Sequence, residues 1–101
     1  MLDKVLNLVS LAKKAGKVYA GEYLTTKAVK EGMAELVIIA NDTSEKSKER
    51  ILSLCKYLEV RAVIYGEKET LGHFTANRDK SVISINDEGF AKAILKLLEG
   101  K

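Results

Sequence analysis

Apolar residues open this chain at helical spacing. Leu2, Val5, Leu6, Val9 and Ala12 form one stripe, which Leu8 and Leu11 widen. Lys13 and Lys14 occupy the expected last turn and Gly16 follows as a stop, so the first helix ends there. The period then changes. Val18-Tyr19-Ala20 reads as a short strand, Gly21 opens a second helix and Gly32 closes it. Leu36-Val37-Ile38-Ile39-Ala40 is a continuous apolar run, as expected for a strand covered on both faces. Asp42, with Glu45 three residues later, suggests a capping-box start for a third helix, with Ile51, Leu54, Cys55 and Leu58 on its inner side. Arg61 to Tyr65 predicts another strand, Glu67 to Phe74 a short helix, and Thr75 to Lys80 a polar loop. Ser81 to Ile85 is the fourth strand. Asn86-Asp87 then caps a last helix that turns Phe90, Ile94, Leu97 and Leu98 inward. The alternation α-β-α-β-α-β-α-β-α predicts an α/β fold: a three-layer α-β-α sandwich with a central four-stranded sheet, mostly parallel or mixed.

Composition narrows the class. With 101 residues, 47% of them hydrophobic and 31% charged, the chain suits one domain (residues 1–101) with its own core, and disorder is excluded. The run at 36–40 is far short of the ~18 apolar residues of a membrane span, so no membrane partner is expected. The first residues lack the organisation of a signal peptide. Cys55 is the single cysteine, so no internal disulfide forms, and the expected setting is a reducing cytoplasm.

The net charge of +3 is modest, and its distribution says more than its size. In the basic N-terminal third, Lys4, Lys13, Lys14, Lys17, Lys27 and Lys30 face only Asp3 and Glu22 as far as residue 30. Within that third, the glycine turn at Gly21 brings backbone N–H groups to a helix N-terminus, which favours anions. Tyr23, Lys27 and Lys30 follow at i, i+4 and i+7, on one side of that helix. A phosphate-friendly turn, a lysine stripe and one aromatic ring fit a nucleic-acid surface better than catalysis.

Four segments, in order and at their spacing, carry a resemblance: Ala15-Gly16-Lys17 running into Gly21-Glu22, then Lys27-Ala28-Val29 with Gly32; Leu36 to Asp42; Thr70-Leu71-Gly72 after Gly66; and Ile85-Asn86-Asp87-Glu88-Gly89-Phe90. Across essentially its whole length the chain resembles the kink-turn RNA-binding family of ribosomal proteins, the L-seven-Ae family. The resemblance implies an α-β-α sandwich that grips sharply bent RNA. It implies that the turn and first residues of the second helix, Gly21, Glu22, Tyr23, Leu24 and Lys27, enter the RNA groove beside tandem sheared G·A pairs. The loop 76–80 would hold a flipped-out nucleotide, with Asn77 and Arg78 as its candidate contacts, and Asn41 would lie beside the same site. Lys14, Lys17 and Lys30 complete the expected RNA-binding set. One departure stands out: the best-characterised members carry an Asn-Glu pair where this chain has Tyr23 and Leu24, so a ring and an aliphatic side chain replace groups that read base edges.

Catalytic readings are thinner. His73 is the only histidine and has no sequence partner that suggests a triad. Cys55 sits on an apolar stripe, and a zinc site lacks ligands. The spacing from Gly16 to Gly21 mimics a phosphate loop, yet Glu22-Tyr23 stand where Lys-Ser/Thr is required. The expected function is therefore non-enzymatic and cofactor-free. It is binding of structured RNA (a kink-turn or internal loop, ribosomal RNA included), with no DNA specificity. The rival reading is a protein-interaction module that uses Tyr23 and Leu24 as an apolar contact.

Overall fold

A computed structural model describes residues 3–75 and 80–100. Its helices are α1 (Lys4–Lys14), α2 (Glu22–Lys30), α3 (Glu45–Tyr57), α4 (Lys68–Thr75) and α5 (Glu88–Glu99), interleaved with strands β1 (Val18–Ala20), β2 (Leu36–Ile39), β3 (Arg61–Ile64) and β4 (Val82–Ile85). The alternation expected from hydrophobic spacing is the one observed, with boundaries moved by a residue or two.

The strands form one sheet in the order β1-β4-β2-β3. β2 pairs parallel with β3, while β4 pairs antiparallel with both β1 and β2. The sheet is thus mixed, and the mostly parallel alternative is corrected. Strands β1, β2 and β3 do share one direction, as strand–helix–strand units require. β4 enters between β1 and β2 from the opposite end, and its central place makes two of the three pairings antiparallel. Element alternation constrains the direction of a strand that follows a crossover helix; it carries no signal for where β4 inserts.

The two central strands, β2 and β4, are buried throughout, as the apolar run at 36–40 implies. Alternation along them divides the core. Leu36, Ile38, Ile83 and Ile85 pack with Val5, Leu6 and Val9 of α1, Leu71 of α4 and Ile94 of α5. Val37, Ile39 and Val82 pack on the other face with Ala28 and Val29 of α2 and with Ile51 and Cys55 of α3. Two helices cover one face and three the other, which is the sandwich. Burial pushes the Cys55 thiol up from its ordinary value, in keeping with an inert core cysteine.

Three local expectations change. Leu58, expected on the inner side of α3, is its C-cap and is exposed. Leu11 is 52% exposed, so the inward stripe of α1 is narrower than the sequence suggested. Asp42 does not start α3. Ser44 is its N-cap and accepts from the Ser47 N–H at 3.3 Å, while the Asp42 carboxylate accepts from the Lys68 N–H at 2.8 Å and so caps α4 across 26 positions of sequence. A capping acid reads the same whether the orphan amide it satisfies is three residues away or in another loop.

Candidate nucleic-acid interface

The candidate site begins at one end of the sheet. The C-terminal ends of β1, β2 and β3 and the N-terminal end of β4 meet there, because β4 runs opposite to the others. Three backbone bonds knit this edge: Gly21 N–H to Val82 O (2.7 Å), Ala40 N–H to Ser81 O (2.6 Å) and Asn41 N–H to Gly66 O (2.7 Å). Gly21, Asn41 and Lys80 are thereby gathered, although they lie up to sixty positions apart in sequence.

Gly21 has φ +101° and ψ 155°, a region that side chains with a Cβ essentially do not visit. A Cβ there would also lie 3.3 Å from Cδ and 3.5 Å from Nζ of Lys80. The lysine is thus laid across the turn, and its ammonium group stands beside the positive end of α2. No side chain among the described residues caps this helix. The N–H groups of Glu22, Tyr23 and Leu24 have no acceptor among the described residues. Two positive features converge; the acid of the first turn, Glu22, is paired with Arg50, and an incoming anion is what such a turn accommodates.

From Gly21 the helix runs back along the sheet face. Tyr23, Thr26, Lys27, Lys30 and Glu31 line a shallow groove of about 380 Å³ on its outer side. The expected i, i+4, i+7 stripe is therefore a continuous surface. Tyr23 is 79% exposed and Leu24 is 41% exposed, so neither ring nor aliphatic chain is spent on the core. Lys27 and Lys30 are exposed and have no ion-pair partner among the described residues. Inward, Thr25, Ala28 and Val29 are buried and fix the helix rotation that turns the stripe outward.

Not every expected residue joins this surface in the same way. Glu22 turns toward α3: its carboxylate accepts from Arg50 Nε at 2.7 Å and from the Ser47 hydroxyl at 3.3 Å. It ties α2 to α3 and steadies the site from behind. Lys17 lies at the opposite end of the sheet, where its carbonyl accepts from the Asn86 N–H at 2.7 Å, and Lys14 ends α1 just before it. Both are exposed and remote from Gly21. Asn77 and Arg78 fall outside the described residues. Sequence reasoning missed the approach of Lys80 to Gly21 and the Arg50–Ser47 hold on Glu22. Arg50 is 28 positions from Glu22, and no local pattern joins them. Among the described residues no cluster of His, Cys, Asp and Glu could hold a metal ion, and no helix is long and apolar enough to cross a membrane.

Known proteins share this fold over nearly the whole chain. RNA-binding protein YlxQ of Enterococcus faecium is 36% identical over 99 residues, covering 97% of this chain and 94% of that protein. RNA-binding protein YlxQ of Bacillus subtilis is 29% identical, covering 91% and 92%. Among solved structures, a protein of unknown function from Bacillus halodurans superposes with a TM-score of 0.90 at 29% identity, covering 95% of this chain and 97% of that one. The 15.5 kD RNA binding protein of Giardia lamblia superposes at 0.80 with 25% identity, covering 99% and 92%. Residues 3–95 match one family description throughout, and the chain belongs to the ribosomal protein L7Ae/L30e/S12e/Gadd45 family.

Proposed function

We propose that this protein binds structured RNA through the outer face of α2, and that its preferred target is a kink-turn or related internal loop. The observation that carries the reading is the uncapped start of α2 at Gly21, roofed by Lys80 and continued by Tyr23, Lys27 and Lys30. RNA phosphates meet free N–H groups and ammonium groups at one end, and an unpaired base meets the Tyr23 ring. Two backbones brought together by a bend repel each other, and cations placed at the bend offset that repulsion. Lys14 and Lys17, at the far end of the sheet, add to the long-range field. Asn41 borders the site at the strand ends, and Glu22 positions α2 through Arg50. The relatives named as RNA-binding proteins support the same reading.

The exposed Tyr23 and Leu24 also suit an apolar protein contact. The unpaired lysines that flank them favour RNA over that rival. Because Tyr23 and Leu24 present little to a base edge, shape and backbone carry most of the recognition. Gel-shift titrations on a kink-turn RNA and on the same RNA with its G·A pairs disrupted test this. The expected result is salt-sensitive binding to both, with a preference below the ~1–3 kcal/mol of one good base contact. Tyr23→Asn combined with Leu24→Glu should widen the preference. Absence of binding to both RNAs at moderate salt overturns the assignment.

A further inference from the structure

A second concave surface lies on the other side of the sheet. α1 and α5 pack against each other over the face opposite α2 and α3. Between them runs a groove of about 680 Å³, lined by Lys4, Leu8, Ala93, Lys96, Leu97 and Gly100. Small residues at Ala93 and Gly100 leave it open. Leu8 and Leu97 form an apolar floor, and the exposed Leu11 extends that floor one helical turn further along α1.

The rim is basic without local compensation. Neither Lys4 nor Lys96 has an ion-pair partner, and no carboxylate lines the groove, among the described residues. Lys4 is also the first residue of α1, where a cation opposes the helix dipole and an acid would be favoured; α1 has no acid in its first turn. The Asp3 carboxylate at the α1 N-cap accepts from the Leu6 N–H and the Tyr65 hydroxyl, and Lys4 presents its charge at the groove mouth, where an anion brought by a partner would meet it. We propose that the α1–α5 groove docks an acidic amphipathic helix of a partner protein. Leucine-like side chains of that helix insert between Leu8 and Leu97, and its flanking carboxylates meet Lys4 and Lys96. The apolar floor has no aromatic ring for base stacking and no side-chain donor for base edges, which disfavours RNA as the occupant. Since the groove and the α2 surface lie on opposite faces of the sheet, both can be filled at once, and the protein would link an RNA to a protein partner.

The probe is a synthetic helical peptide with leucines at i, i+3 and i+7 flanked by glutamates, titrated into the full-length 15N-labelled protein. Two controls replace its glutamates by lysines and its leucines by serines. The expected result is micromolar binding of the first peptide only, with amide shifts centred on Leu8, Ala93 and Leu97. Lys4→Glu combined with Lys96→Glu should weaken that binding at least tenfold, transfer preference to the lysine peptide and leave the RNA-induced amide shifts of Glu22, Tyr23 and Leu24 in place. These are surface positions, so the fold is retained, and the amide spectrum of the variant verifies it. The proposal is overturned by binding weaker than millimolar, by shifts centred elsewhere, by indifference to charge reversal, or by RNA-induced amide shifts centred on Leu8, Ala93 and Leu97, which would assign the groove to RNA.

Discussion

The helix starts of this protein divide into two kinds. α1, α3 and α5 are each closed by a side chain of their own N-cap: Asp3 accepts from Leu6 N–H at 3.1 Å, Ser44 from Ser47 N–H at 3.3 Å, and Asp87 from Phe90 N–H at 2.9 Å. α4 is closed from a distance by Asp42. α2 begins at Gly21 with no side-chain acceptor among the described residues. Closed ends contribute roughly 0.5–2 kcal/mol each to folding. The open end forgoes that contribution and leaves its N–H groups to a ligand. The contrast teaches where to look for function: at the helix start whose hydrogen bonds the fold leaves unmade.

Gly21→Val should separate the two kinds most sharply. A β-branched side chain cannot hold φ +101° without strain on the order of 1–3 kcal/mol, and its Cβ presses on Lys80. RNA affinity is expected to fall by about 3 kcal/mol, while circular dichroism shows a folded protein; a folded variant with full affinity refutes the role of the turn. Asp3→Ala attacks a closed end. It removes both the α1 cap and the acceptor of the Tyr65 hydroxyl, 2.7 Å away, so urea unfolding should show a loss of about 2 kcal/mol with RNA affinity intact. Equal losses in stability and affinity would erase the distinction between the two ends.

Lys27→Ala tests the open end's surface more gently. Loss of one charge-assisted phosphate contact is expected to cost about 1 kcal/mol of affinity and to flatten the salt dependence by about one unit of slope. Equal binding by the variant removes Lys27 from the interface. The smallest effect concerns pH at the closed end of α1. The hydrogen bond to Asp3, then burial, then the carboxylate's charge push the Tyr65 hydroxyl up to about 12 from its ordinary value near 10. The group therefore stabilises the fold below pH 10, and that contribution is lost as pH rises from about 10 to about 12. Tyr65→Phe should remove this part of the alkaline fall in melting temperature; an unchanged profile contradicts it.

Much of this was legible in the sequence, and what was not has a common cause. The helix–strand alternation, the buried run at 36–40, the Asp87 cap and the Tyr23–Lys27–Lys30 stripe are all local patterns whose period or spacing is their physics. The insertion of β4 between β1 and β2, the reach of Asp42 to α4, the hold of Arg50 on Glu22 and the lysine laid over Gly21 join residues 26 or more positions apart, and no local period encodes them. The same distinction explains why Lys14 and Lys17, close to Gly21 in sequence, lie at the other end of the sheet: β1 carries the chain from one end to the other in three residues.

The central claim is that the open N-terminus of α2 receives RNA. Titration of the 15N-labelled protein with a kink-turn RNA reads it directly through the amide signals of Glu22, Tyr23 and Leu24. The account predicts that these three signals shift first and furthest, and that the amides of the side-chain-capped first turns away from the site, Leu6 and Phe90, stay in place. RNA binding that shifts the capped ends while leaving those of α2 unmoved would contradict it.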